Sequence, residues 1–218
     1  MRCIVTAGPT IEPLDDVRRL TNFSTGSLGC QLSAYLTERK HDVTLLVSEQ
    51  ATCRGDRIAS EVRQFSSTAD LLSLIQALAT PEVGAIFHAA AVSDFTFGKI
   101  WEADEAGTRN ELSGGKVSSR SGKLLAELIP TPKIISQLRE SFPNQLLFGW
   151  KYEVDGSQSD VLEKARRQLR ESHSDYCIAN GAAYGSGFGI VRTDEHVHAE
   201  TREVLFQKLE ELLSAQPD

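Results

Sequence analysis

The chain has 218 residues, 40% hydrophobic and 24% charged, an ordinary composition for a folded domain with a sizeable core. Twenty-three basic against 30 acidic side chains give a formal charge of −7, which argues against a broad nucleic-acid surface but leaves room for a local phosphate pocket. No run approaches the roughly 18–20 apolar residues of a membrane helix, so neither a nucleic acid nor a membrane is expected as partner.

The N-terminus goes straight into a strand-like run with no signal-peptide pattern, and the expected location is the cytoplasm. Cys3, Cys30, Cys53 and Cys177 form no C-x-x-C pair and no cluster with histidine, so neither a metal site built on cysteine nor a disulfide framework is expected. In chain order, Arg2–Thr6 reads as a buried strand. Gly26–Lys40 is a helix with Leu28, Leu32, Tyr35 and Leu36 at helical spacing, and Asp42–Val47 is a strand. Glu61–Phe65 is a short strand, Ser67–Thr80 a helix capped by Ser67 or Thr68, and Gly84–Ala91 another buried strand. From about 96 to 122 the pattern stops in a Gly-, Ser- and charge-rich segment, expected to be a functional flap. Lys123–Ile129 is again a strand. Thr131-Pro132 reads as a helix cap followed by proline at the first helical position. Gln145–Trp150 is a strand, Ser159–Ser172 a charged amphipathic helix and Asp175–Asn180 a strand. A hairpin over Phe188–Ala199 and a helix over Thr201–Ser214 complete the chain.

Strands separated by helices of this size imply a mainly parallel sheet with right-handed crossovers. The expected fold is α/β, a Rossmann-like doubly wound sheet with a flap and a C-terminal hairpin-and-helix elaboration, all in one domain over 1–218. Ligands in such sheets sit at the carboxyl ends of the strands, here after Thr6, after Ala91 and after Ala179.

After Thr6, Gly8 permits close backbone approach to a ligand. The chain then runs through Glu12, Asp15, Arg18 and Arg19 to Thr21-Asn22-Phe23-Ser24-Thr25-Gly26-Ser27-Leu28-Gly29 before its helix begins. Free N–H groups at that helix start, flanked by hydroxyls, suit a phosphate. A generic capped loop has the same hydroxyls but does not account for the asparagine and two glycines. G-x-G-x-x-G is absent, and none of the four tyrosines heads a Tyr-x-x-x-Lys, which counts against hydride transfer. At the second strand end, Ala89, Ala90 and Ala91 leave room for a nucleotide to lie flat. Asp94 is either a turn cap or an acceptor for a nucleotide or metal-bridged phosphate. His88, in an apolar run, reads as a core histidine. Lys116 on the flap reads either as a solvated loop lysine or as one that reaches a phosphate, and Lys151, directly after a strand, is also placed to reach the pocket.

Ile4–Thr10 followed by Asp16–Gly29 resembles the opening of the phosphopantothenoylcysteine synthetases. Ala89–Phe95, Lys116-Val117-Ser118-Ser119 and Asp175–Asn180 resemble that family's later motifs, in order from about Cys3 to about Val191. The resemblance implies a ligase of coenzyme A synthesis that joins 4′-phosphopantothenate to cysteine. It would proceed through an acyl-nucleotidylate formed from CTP or ATP with Mg²⁺, in a homodimer. Met1 lies just before the first strand, so a free-standing synthetase without flavin is expected. Asn22 and Lys116 would be catalytic, Asn22 by orienting the acyl intermediate and stabilising its oxyanion. Gly8, Thr10, Ala89, Ala90, Ala91, Asp94, Pro132, Ile134, Phe148 and Lys151 would hold the nucleotide. Arg18, Ser24, Thr25, Gly26 and Asn180 would hold substrate, and Asp94 the metal. Bacterial relatives carry further lysines where Val117-Ser118-Ser119 stand here, which leaves open the nucleotide and whether Lys116 or Lys151 meets the phosphates. An NAD(P)-dependent reductase or epimerase and a non-catalytic nucleotide sensor remain the alternative readings.

Overall fold

A computed structural model describes residues 1–53, 55, 57–104, 107–112 and 123–215. The chain opens with β1 (Arg2–Ala7), the short pair β2 (Ile11–Pro13) and β3 (Arg19–Thr21), and helix α1 (Ser27–Glu38). β4 (Asp42–Ser48), β5 (Glu61–Phe65), α2 (Thr68–Ala77) and β6 (Val83–His88) follow. Next come β7 (Phe95–Ala103), β8 (Arg109–Glu111) and β9 (Lys123–Pro130), then α3 (Ile134–Ser141), β10 (Leu146–Tyr152), α4 (Gln158–Ser172) and β11 (Tyr176–Asn180). β12 (Phe188–Val191), β13 (His196–Ala199) and α5 (Arg202–Ser214) end the described chain.

The main sheet has the order β13-β12-β11-β10-β6-β1-β4-β5, parallel from β5 to β11 and antiparallel at β12 and β13. It is the Rossmann-like doubly wound sheet expected, with its C-terminal hairpin and helix. β1, β4 and β6 are buried almost end to end, as strands covered on both faces must be. One face packs Val5, Leu45, Phe87 and Phe148 against Leu32 and Leu36 of α1 and Leu205 and Leu209 of α5. The other packs Ile4, Leu46, Ile86 and Leu147 against Leu71 and Ile75 of α2 and Ile134 and Leu138 of α3. α4 continues this second layer through Val161, Ala165 and Leu169. α1 lies close on β1 because Gly29 has no side chain: a Cβ there would meet Ala7 Cβ at 2.7 Å and Thr6 O at 2.8 Å.

Three local readings change. The expected flap begins as regular structure, since β7, β8 and β9 form an antiparallel arm separate from the main sheet. β9 is the strand expected over Lys123–Ile129, whereas β7 and β8 are largely exposed or half-buried, so no apolar alternation marks them. The long loop after Thr6 contains the β2–β3 hairpin, closed by Leu14 N to Arg18 O and by the Asp15 carboxylate, which accepts from Val17 N and Arg18 N. Thr131 and Pro132 do not cap a helix: α3 starts after Lys133 without a side-chain cap. Thr131 instead donates from Oγ1 to Ser93 O and from N to Asp94 O, tying the arm to the end of β6. The four cysteines are free thiols, with Cys30 and Cys53 brought to 2.7 Å between sulfurs.

Candidate active site

The sheet order reverses between β1 and β6, and the carboxyl ends of the strands open there into a cleft of about 1140 Å³. Residues from both helical layers line it. Ser27 and Leu28 of α1 and Arg202 of α5 come from one face, and Ile134, Ile135, Arg167 and Gln168 of α3 and α4 from the other. Residues 22–26 and 88–94 cross between them.

Asn22 joins these two crossing segments. Its Nδ2 donates to Ala91 O at 3.2 Å and to Val92 O at 3.0 Å, which occupies both amide hydrogens and leaves Oδ1 as the group open to a ligand. The sequence reading of Asn22 as a donor to an oxyanion therefore changes: in this arrangement its free capacity is that of an acceptor. The three alanines also present less than expected. Ala89 N donates to Phe87 O, Ala90 N to Thr6 Oγ1 and Ala91 N to Gly8 O, so they offer a smooth surface rather than N–H donors.

The donors lie at α1. Gly26, its N-cap, sits at φ 74, a left-handed conformation that glycine adopts without penalty, and gives no side-chain cap. The first turn has no acidic residue, and Ser24 Oγ and Thr25 Oγ1 accept only long bonds of 3.4 and 3.3 Å from Gly26 N and Ser27 N. Leu28 N and Gly29 N make no hydrogen bond among the described residues. An uncapped N-terminus carries partial positive charge and free N–H groups facing the cleft. Arg202 adds a full charge: it donates to Ser27 Oγ at 3.4 Å and Gln31 Oε1 at 3.1 Å, beside that helix start.

On the opposite face Pro132, Lys133 and Ile134 line the wall with Arg167. Lys151 and Lys164 both pair with Glu153, at 3.2 and 2.5 Å. Burial works against ionising Glu153, but the hydrogen bonds and charges of Lys164 and Lys151 outweigh it and hold the carboxyl below its ordinary value. Among the described residues, five cationic ones line the cleft (Lys133, Lys151, Lys164, Arg167, Arg202) against two acidic ones, Asp94 and Glu171. A chain of net charge −7 has thus gathered positive charge where its strands end. Trp150 Nε1 and Asn180 Oδ1, both on lining residues, are buried with no partner among the described residues, and such atoms call for one.

Of the residues singled out from sequence, Asn22, Ser24, Thr25, Gly26, Ala89, Ala90, Ala91, Asp94, Pro132, Ile134, Lys151 and Asn180 line the cleft together. Four do not. Thr10 is fully buried, accepting from Ser93 N and hydrogen-bonded to Thr68 Oγ1, so it supports the loop from below. Phe148 is fully buried and stacked between Phe87 and Tyr176 at 4.4 and 5.0 Å, out of reach of a base. Gly8 is covered by Ser48 and Ala51. Arg18 is drawn to Asp15 at 3.0 Å and lies outside the cleft lining. Lys116 lies outside the described residues. Arg202, Arg167 and Trp150 line the cleft without having been singled out for it from the sequence. Arg202 and Ser27 are 175 positions apart, and no local pattern pairs them.

No group of three or more His, Cys, Asp or Glu side chains able to hold a metal occurs among the described residues. Asp94, exposed at the cleft, is the one carboxylate among those lining residues that flanks the end of β6.

Residues 1–212 match the family described as the DNA/pantothenate metabolism flavoprotein C-terminal domain. The chain belongs to this family. It is 31% identical over 188 residues to the coenzyme A biosynthesis bifunctional protein CoaBC of Thermococcus kodakarensis, a match covering 85% of this chain and 42% of that protein. The CoaBC of Bacillus subtilis is 28% identical over 187 residues, 85% of this chain and 42% of that one. The chain thus spans less than half the length of these curated relatives. Among solved structures, the DNA/pantothenate metabolism flavoprotein from Streptococcus pneumoniae superposes with a TM-score of 0.86 at 28% identity, over 99% of both chains. The C-terminal domain of a CoaBC has the same fold, with a TM-score of 0.74 at 23% identity over 98% and 94% of the two chains. A Cab2 mutant in complex with phosphopantothenate-cysteine also shares it, at 0.75 and 19% over 98% and 86%.

Proposed function

We propose that this family member is a ligase joining 4′-phosphopantothenate to L-cysteine through an acyl-nucleotidylate made from CTP or ATP, a step in coenzyme A biosynthesis. The observation that carries the reading is the cationic cleft at the reversal of strand order, with Asn22 fastened across its middle. Membership in a pantothenate-metabolism family supplies the substrate class.

Two anionic partners must be held so that the pantothenate carboxylate attacks the α-phosphorus and pyrophosphate leaves. The α1 N-terminus with Arg202 on one face, and Lys133 and Arg167 on the other, supply the countercharge, preorganised in the fold. Pro132 and Ile134 provide the apolar edge against which the base lies, and the Ala89–Ala91 surface lets the acyl phosphate pass close to the backbone. Lys116 and Lys151 complete the neutralisation of the phosphates. Mg²⁺ held by Asp94 and the phosphates would add charge stabilisation there. In the second half-reaction the cysteine amine attacks the acyl carbon, the nucleoside monophosphate leaves with the bonding pair, and the amine loses a proton. Asn22 Oδ1 accepts an N–H of that amine and aims its lone pair at the carbonyl.

Residues 1–218 act together as one catalytic unit in a reaction that uses no flavin, and a second copy packs against the β7–β9 arm, where Phe95, Leu128 and Ile129 are exposed. Among the described residues no helix is long and apolar enough to cross a membrane. The test is cysteine-dependent pyrophosphate release from CTP or ATP in the presence of 4′-phosphopantothenate. Release with either nucleotide is the expected result. Absence of release with both, joined to tight NADPH binding, would overturn the reading in favour of a reductase.

A further inference from the structure

The floor of the cleft holds a histidine that the steps above leave unused. His88 is the last residue of β6, 6% exposed, yet it lines the cleft. Its Nδ1 lies 3.1 Å from Thr6 Oγ1, directly across the parallel pairing with β1. Thr6, fully buried, also accepts from Ala90 N at 2.9 Å.

These contacts decide where the ring proton is. The Thr6 hydroxyl carries one hydrogen, and among the hydrogen bonds of the described residues His88 Nδ1 is the acceptor placed to take it. Were Nδ1 the protonated nitrogen, Thr6 would accept twice and its own buried hydrogen would have nowhere to go, at the cost of an unmade bond. The hydroxyl therefore donates to Nδ1, and the proton sits on Nε2, the nitrogen left for the cleft. Burial also pushes the imidazole down to about 4, so the ring is uncharged at neutral pH. A neutral N–H presented at the floor of a cationic cleft is a directional donor that takes no proton from its ligand.

We propose that His88 is a ligand-contacting residue whose Nε2–H donates to a phosphoryl or carboxylate oxygen of the bound substrate, with Thr6 as the positioning residue that sets its tautomer. The inference rests on the ligase reading for the identity of that oxygen, but the tautomer stands apart from it.

Long-range ¹H–¹⁵N correlation spectra separate the two nitrogens of each of the five imidazoles, with His88 assigned by its absence in His88→Gln. The free protein is expected to show His88 protonated at Nε2. Thr6→Val should lose that preference and Thr6→Ser keep it. CTP, ATP and 4′-phosphopantothenate are then added separately, and the one that supplies the oxygen moves Nε2 while leaving Nδ1 nearly still. In turnover, His88→Leu should raise KM for that ligand about ten- to a hundredfold, the worth of a hydrogen bond to a charged group. His88→Gln, whose amide nitrogen reaches a similar point, should recover most of the loss. A proton found on Nδ1 in the free wild-type protein overturns the inference. So does a wild-type enzyme that turns over while Nε2 ignores all three ligands. Movement of Nε2 in a protein that never turns over supports the donor and instead sinks the ligase reading.

Discussion

At the scale of single residues, Asn22 is fixed by bonds to two backbone carbonyls of the other crossing segment, and His88 by a bond to the buried Thr6 hydroxyl on the neighbouring strand. Asn22→Asp would turn a donor to two carbonyls into a carboxylate repelled by them, so the loop loses its tether and Oδ1 is no longer held where it meets the amine. The first half-reaction should survive and an acyl-nucleotidylate accumulate, with overall kcat lower by on the order of 10²–10³, the usual cost of one preorganised group; rapid-quench product analysis checks this. His88 bears on stability. The unfolded chain binds a proton on this ring near 6.5 and the folded protein only near 4, so the unfolded state holds more protons in between. Stability is complete above about pH 6.5 and declines as the pH falls toward 4, by on the order of 3 kcal/mol at most. Urea unfolding at pH 7 and 4.5 should show this loss in wild type and much less of it in His88→Gln. Asn22, with its flanking hydroxyls and glycines, was legible because the whole loop lies within one short stretch of sequence. Arg202 was not, because its partners Ser27 and Gln31 meet it only through the packing of α5 on α1.

At the scale of elements, strands and helices with strong periodicity were legible from residues alone, and those built on polar pairing were not. The β2–β3 hairpin is three residues on a side, and a buried carboxylate holds it in place. Glu12 accepts from Thr68 N at 3.0 Å and Thr68 Oγ1 at 2.6 Å, at the N-terminal turn of α2, where negative charge is favoured. Glu12→Ala should strand the Thr68 N–H and cost about 1–3 kcal/mol, read as a lower urea midpoint, while Glu12→Gln should cost less. Thr131-Pro132 misled for a related reason. The sequence has the cap signature, but Thr131 is claimed by the Ser93 and Asp94 carbonyls, and tertiary contacts override a local preference.

At the scale of the molecule, the alternation of strands and helices made the sheet legible, and β9 of the arm with it, while β7 and β8 were hidden because they bury little of either face. Exposed Phe95 and Leu128 share one face of the paired strands β7 and β9 and exposed Ile129 lies on the other, so the arm presents apolar surface of the kind a second copy covers. Leu128→Lys with Ile129→Lys should shift sedimentation from dimer to monomer and leave thermal stability of the main sheet nearly unchanged. A wild-type protein that sediments as a monomer at all concentrations would remove the arm from the dimer reading.

The cleft also draws cations from helices on opposite faces of one sheet, Arg202 of α5 on one and Lys164 and Arg167 of α4 on the other, and the two faces meet across residues 22–26 and 88–94. Two small molecules, each suited to one face, need not compete. Joining them with a linker that passes over Ala90 would make the second binding event intramolecular, so the linked compound should bind far more tightly than either half. The sheet edge thereby serves as a ruler for inhibitor design, the useful linker being the one that spans the strand ends.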